Sequence, residues 1–164
     1  MAFDPQLQRR ILGRFATGVT VVTTRQGEQL HGMTANAVTS LSLDPPLVLV
    51  AVDRRAAMHA ALHAGQCFAL NILGDAHEHL SRRFAMSGPK DLSDLSLTTA
   101  ATGAPILADA IAWVDCRITQ VLPGGDHDIF IGEVLAGGHM EEGHPLLYFG
   151  GQYRRIADEK SHPS

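Results

Sequence analysis

The residues from His31 to Asp53 read HGMTANAVTSLSLDPPLVLVAVD and gather small side chains that hydrogen-bond without bulk: Thr34, Asn36, Thr39, Ser40 and Ser42. A Pro45-Pro46 break follows, then the apolar run Leu47-Val48-Leu49-Val50-Ala51-Val52. That run is too short to cross a membrane and rich enough in valine to read as a fully buried strand. Hydroxyl and amide donors placed before a rigid strand make a shelf for a planar, heteroatom-rich ligand, which needs many short hydrogen bonds and little side-chain bulk.

Three other stretches carry usable chemistry. Gly124-Gly125-Asp126-His127-Asp128 is either a solvated hairpin turn or a place where backbone approaches a ligand while His127 donates to it. Tyr148-Phe149-Gly150-Gly151 either plugs a barrel end or borders a site where the glycines leave room for a flat ring. Ser81-Arg82-Arg83-Phe84 offers guanidinium donors to a phosphate, or is an ordinary cationic helix end. Composition alone leaves these alternatives open.

Other constellations are weaker. His59 and His63 have helical i, i+4 spacing, but no His-Glu-x-x-His pattern accompanies them, so they read as surface histidines. His77 and His79 flank Glu78 at a helix start and fall on different sides. No metal is expected. Cys67 and Cys116 sit among apolar residues and read as small core side chains of a reducing cytoplasm, and no Gly-x-Ser-x-Gly elbow is present.

With 164 residues, 45% hydrophobic and 18% charged, the chain suits one globular domain spanning 1–164. A net charge of −4 with scattered arginine pairs gives no footprint for nucleic acid, and no segment has transmembrane length.

The elements that must position these residues are short. Asp4 and Pro5 open a helix with Leu7, Ile11, Leu12 and Phe15 on one face. Strands are expected at Val19–Thr24, Gln29–Thr34, Ala37–Leu43, Leu47–Val52, Cys67–Ile72, Ala112–Leu122, His127–Ala136, Pro145–Phe149 and Gln152–Ile156. Helices are expected at Ala56–Ala64, stopped by Gly65 at C′, and at about Ala76–Ala85. Met86–Thr102 reads as a long surface excursion. Many strands with tight turns and few helices predict a closed or nearly closed antiparallel barrel. A doubly wound nucleotide fold is disfavoured because its Gly-x-Gly-x-x-Gly turn is missing.

Phe15-Ala16-Thr17-Gly18-Val19-Thr20-Val21-Val22-Thr23-Thr24, with Gly32-Met33-Thr34-Ala35-Asn36 and Ser40-Leu41-Ser42-Leu43-Asp44-Pro45-Pro46, resembles the short-chain flavin reductase family. The likeness continues in order through Asn71-Ile72-Leu73, Arg83-Phe84, Gly103-Ala104-Pro105, Cys116-Arg117, Gly125-Asp126-His127, Gly132-Glu133-Val134 and Pro145 to Phe149. Members include reductase components of two-component flavin-dependent monooxygenases. The resemblance implies a mainly β fold with short helices, the split β-barrel that binds FMN or FAD. It also implies a homodimer that uses NADH or NADPH and a separate oxygenase that receives the reduced flavin.

On the same resemblance the flavin shelf maps to Thr34, Ala35, Asn36, Ser40, Leu41 and Ser42. Asp53, Arg54, Arg83 and Phe84 extend the cofactor site, His127 matches the nicotinamide-side histidine, and Tyr148, Phe149, Gly150 and Gly151 lie in the nucleotide region. Many relatives carry Ser or Thr after the buried strand, suited to flavin phosphate; this chain has Arg54-Arg55-Ala56-Ala57, which moves that contact towards arginine. The implied activity is NAD(P)H:flavin oxidoreduction, with His127 orienting the nucleotide and Phe84 or Tyr148 bounding the stacking slot. Two alternatives remain at this level: a non-catalytic flavin- or haem-binding barrel, and a monooxygenase acting directly on an organic substrate beneath a Met86–Thr102 lid.

Overall fold

In the computed structural model, which describes residues 2–158, twelve strands and three α-helices are formed, and every strand pair is antiparallel. Helix α1 (Pro5–Leu12) starts where the sequence predicts: the Asp4 side chain accepts a hydrogen bond from the Gln6 N–H at 2.9 Å. Then come β1 (Thr17–Gly18), β2 (Thr20–Gln26), β3 (Gln29–Ala35), β4 (Val38–Leu43), β5 (Pro46–Asp53), α2 (Ala57–Gly65) and β6 (Cys67–Ile72). A 3₁₀ turn leads into α3 (Glu78–Ala85), followed by β7 (Leu97–Thr98), β8 (Ile106–Leu107), β9 (Ala112–Gly124), β10 (His127–His139), β11 (Leu147–Phe149) and β12 (Gln152–Arg154).

Seven strands form one sheet in the order β3-β2-β6-β9-β10-β5-β4. Its two edges, β3 and β4, are consecutive in the chain and joined only by Asn36 and Ala37. The three steps from Ala35 to Val38 span no more than about 11 Å, so the sheet curls until its edges come close at that end. The barrel is therefore split between β3 and β4, and each edge keeps a row of backbone groups free of ladder partners.

Strand β2 serves two cores because alternate residues face opposite sides. Val22 points into the barrel with Val48, Val50, Val52, Phe68, Phe130 and the α2 residues Met58, Ala61 and Leu62. Val19 and Val21 pack outside it with Leu73, Leu80, Phe84, Leu107 and Leu146. Both cysteines are buried, as expected; burial pushes the Cys116 thiol up to about 12, so it stays protonated and unreactive.

The structure corrects four expectations. Strand β5 is not buried on both faces: Val48, Val50 and Val52 are buried while Leu47, Leu49 and Ala51 are half-buried. The left-handed residue ending α2 is Gln66, with φ of 56°, and not Gly65. Gly65 answers a different need, since a Cβ there would lie 2.5 Å from the Arg25 carbonyl oxygen. The Met86–Thr102 segment is anchored to the fold, with Leu92, Leu95 and Leu97 packed on the second core and β7 paired to β8. His59, expected on the surface, has a side chain only 18% exposed.

Candidate functional site

The β3–β4 crossing positions most of the expected site. Asn36, Thr39, Ser40 and Leu41 are exposed along it, Thr34 and Ser42 are half-buried, and Leu41 sits in a bulge where the β4–β5 register slips. From Asn36 to Ser42 the shelf runs about 20 Å at the usual rise of a strand, enough for a tricyclic ring and a polar chain beyond it. Thr34 donates to the Ser81 carbonyl at 2.6 Å, so its hydrogen is committed to α3 and its lone pairs remain for a ligand. The Ala35 side chain is buried and its carbonyl accepts from Thr20 at 2.6 Å, leaving only backbone to face the shelf.

Strand register carries His127 to the same barrel end. Ala51 N–H donates to the Ala37 carbonyl at 3.0 Å, and His127 stands directly opposite Asp53 across the β10–β5 ladder. Residues of β5 alternate, so Asp53 and His127 lie on the outer face, opposite the inward Val52. The His127 imidazole is 40% exposed, and its Nδ1 lies 2.7 Å from Asp126 Oδ1. That contact holds the Asp126 carboxyl below its ordinary range. The turn before it is a two-residue loop, Gly125-Asp126, in which only Gly125 has positive φ, as in a type II′ hairpin.

Charge surrounds this end. Asp53 accepts from the Arg55 backbone and guanidinium, which hold its carboxyl far below the usual value. Arg54 clasps Asp128 at 2.9 and 3.1 Å and also donates to the Gly125 carbonyl at 2.7 Å. Arg83, on α3, forms a two-point pair with Asp94 at 2.7 and 2.9 Å. The two expected phosphate arginines thus lie on separate walls with separate carboxylates.

The remaining expected residues divide by parity along β11. Tyr148 and Gly151 line a cleft of about 640 Å³ with Glu78, Arg82, Met86 and Tyr153, whereas the Phe149 ring lies under Arg14, 4.7 Å from its guanidinium carbon. Gly150 and Gly151 both have positive φ at the β11–β12 turn, so the turn itself accounts for them. Phe84 does not border a slot. It is 2% exposed, and its ring fills the space over Gly32, where an added Cβ would come within 2.4 Å of it. Its part is to seat α3 against β3.

Residues the sequence reading did not single out complete the picture. Tyr153 hydrogen-bonds Ser81 at 2.6 Å and meets the Tyr148 ring edge-on at 5.4 Å, which fixes the floor of the cleft. Asp94, unsignalled except as a carboxylate in a turn, holds Arg83, and Asp128, named only as part of the 124–128 stretch, holds Arg54; neither pairing has a local signal in the sequence.

Neutral hydroxyl and amide donors along an open strand edge fit a flat ring bearing nitrogen and oxygen, and guanidinium groups fit a phosphate. Comparison with known proteins agrees. A family profile described as "Flavin reductase like domain" matches residues 12–157. The chain is 41% identical over 156 residues to an NADH-dependent FAD reductase of Streptomyces globisporus, covering 92% of this chain and 85% of that one. It is also 41% identical over 148 residues to the reductase component of a Thermus thermophilus 4-hydroxyphenylacetate 3-monooxygenase, covering 90% and 94%. A solved Streptomyces globisporus NADH:FAD oxidoreductase in complex with NAD and FAD fragments superposes with a TM-score of 0.89 at 39% identity, covering 97% of this chain and 98% of that one. By profile, sequence and fold, the chain belongs to the flavin reductase-like family.

Proposed function

We propose that the chain reduces a flavin, FMN or FAD, at the expense of NADH and supplies the reduced flavin to a separate oxygenase component. The observation that carries the reading is the convergence of Asn36, Asp53 and His127 at the barrel end where the split begins. A bound flavin supplies the two-electron acceptor; the protein's own task is to bind, orient and exclude water. Among the described residues nothing resembles an activated nucleophile, and this reaction requires none.

In this reading the shelf residues Asn36, Ser40 and Ser42 hydrogen-bond the ring and its polar chain, with Thr34, Ala35 and Leu41 shaping the shelf. Arg83 takes the phosphate; it is already paired with Asp94, so phosphate binding exchanges one anion for another and leaves flavin exchangeable. Arg54, on the other wall, keeps its pair with Asp128 and bounds the far end of the cofactor site. Asp53 steadies the shelf end and His127 orients the nicotinamide nucleotide. Tyr148 and Gly151 form the wall nearest that nucleotide, Phe149 and Gly150 hold the turn behind it, and Phe84 supports the site from the core.

A second copy of the chain completes the assembly in this reading. Helix α1 buries none of its residues: Ile11 is 52% exposed and Leu12 60%; Phe15, just after the helix, is 76% exposed, and Leu43 on the edge strand 90%. Apolar surface on that scale is ordinarily covered by a partner. Sedimentation that reports a monomer at micromolar concentration overturns this part alone.

The activity is tested by mixing purified protein anaerobically with NADH or NADPH and FMN or FAD while following the nicotinamide absorbance. Flavin-dependent oxidation, fastest with NADH, is expected. No oxidation in any of the four combinations overturns the reading. Among the described residues no helix is long and apolar enough to cross a membrane, which suits a diffusible flavin donor.

A further inference from the structure

Alternation along β10 puts His127 on the outer face and Asp128 on the inner one, two residues before the buried Phe130. Helix α2 packs across that inner face. Its His59 and His63 stand one turn apart with ring centroids 4.8 Å from each other, and both rings rest edge-on against Phe130, at 5.6 and 5.2 Å. His59 Nε2 lies 2.7 Å from Asp128 Oδ2, and one ligand atom from each of His59, His63 and Asp128 falls within 4.8 Å of the others.

From this juxtaposition we propose that His59, His63 and Asp128 form a three-ligand site for a divalent first-row transition metal, Zn²⁺ above all. Two imidazoles and one carboxylate are the donors such ions favour, whereas Mg²⁺ and Ca²⁺ demand an all-oxygen shell. A tetrahedral ion with bonds near 2.1 Å holds its ligand atoms about 3.4 Å apart, so His63 must close on the other two by up to about 1.4 Å while the 2.7 Å His59–Asp128 contact opens by about 0.7 Å to admit the ion. His63 is exposed, and its open side leaves a fourth position for water.

The surroundings are those of a supported site. The second oxygen of Asp128 is gripped by Arg54 at 2.9 and 3.1 Å, which fixes the carboxylate and directs Oδ2 at the histidines. Phe130 supplies an apolar floor. The other close histidine pair, His77 and His79, has centroids 6.3 Å apart and is not in a ligand cluster among the described residues. Bound metal would tie α2 to the first turn of the strand that carries His127, on the face away from the shelf. The proposal does not depend on the flavin reading.

The test uses the untagged, full-length chain freed of metal and flavin, titrated with Co²⁺. The expected result is one equivalent bound, with the visible absorption of four-coordinate Co²⁺, bleached by Zn²⁺. His63→Ala should weaken binding at least ten-fold while leaving circular dichroism and metal-free flavin reduction unchanged, and Zn²⁺ should raise Tm only in the parent. Asp128→Asn should also lose the visible band. No band in the parent, or a band and affinity retained in His63→Ala, overturns the site.

Discussion

On the closed flank of the barrel, where β2, β6 and β9 run side by side, Thr23, Thr24, Asn71 and Asp115 are buried and fully engaged. Thr24 donates to the Cys67 carbonyl, Asn71 bridges Val21, Thr23 and Leu107, and Asp115 accepts from the Thr102 N–H and hydroxyl. On the split flank, Asn36, Thr39 and Ser40 carry similar chemistry yet are exposed along strand edges. The same residue types therefore do two jobs. Where the sheet is continuous they hold strands together, and where it opens they stand exposed along its edge.

The largest effect should come from breaking the closed flank. Asn71→Leu removes a donor to the Val21 carbonyl at 2.9 Å and an acceptor for the Leu107 N–H at 2.8 Å, both in a dry core. Each orphaned group costs about 1–3 kcal/mol, so the variant should lose about 3 kcal/mol of stability by urea unfolding. Ser40→Ala on the split flank should stay within about 0.5 kcal/mol of the parent. Equal losses at the two positions would erase the distinction.

On the open side the effects should appear in binding. His127→Ala should raise the KM for NADH about ten-fold, the value of one hydrogen bond near 1.4 kcal/mol, and change the flavin KM far less. Ser40→Ala combined with Ser42→Ala should show the reverse pattern, with the flavin KM raised about five-fold and Tm unchanged. Equal shifts for both ligands in either variant would show that shelf and histidine do not divide the work.

Much of this was legible because its signals are local. Asp4-Pro5 capped a helix, Gln26-Gly27-Glu28 turned a hairpin, and the small polar residues before Pro45-Pro46 form an exposed edge strand. The parity of Leu47–Val52 was hidden because valine, leucine and alanine suit both faces of a half-covered strand. Phe84 read as a site residue because an aromatic beside paired arginines resembles a ligand wall, and only the close approach of Gly32 reveals its place in the core. The carboxylate partners of Arg54 and Arg83 lie 74 and 11 residues away, set by strand register and by the anchored 86–102 segment. No local pattern announces such pairs.

The smallest effect concerns Asp128, which belongs to neither flank and instead closes the barrel mouth between them. Arg54 and His59 lower its carboxyl from 3.8 to about 2 in the folded chain. A folded value below the unfolded one means the stabilisation is complete above pH 4 and is lost as pH falls towards 2. Asp128→Asn should therefore flatten the acid-unfolding curve in that window while leaving its shape near neutrality. Asp53, Asp94 and Asp126 are lowered too and act with the same sign, so the variant should remove only part of the slope. An unchanged slope would mean that the Arg54–Asp128 pair is screened by solvent and that the mouth is held by α2 packing on Phe130 alone.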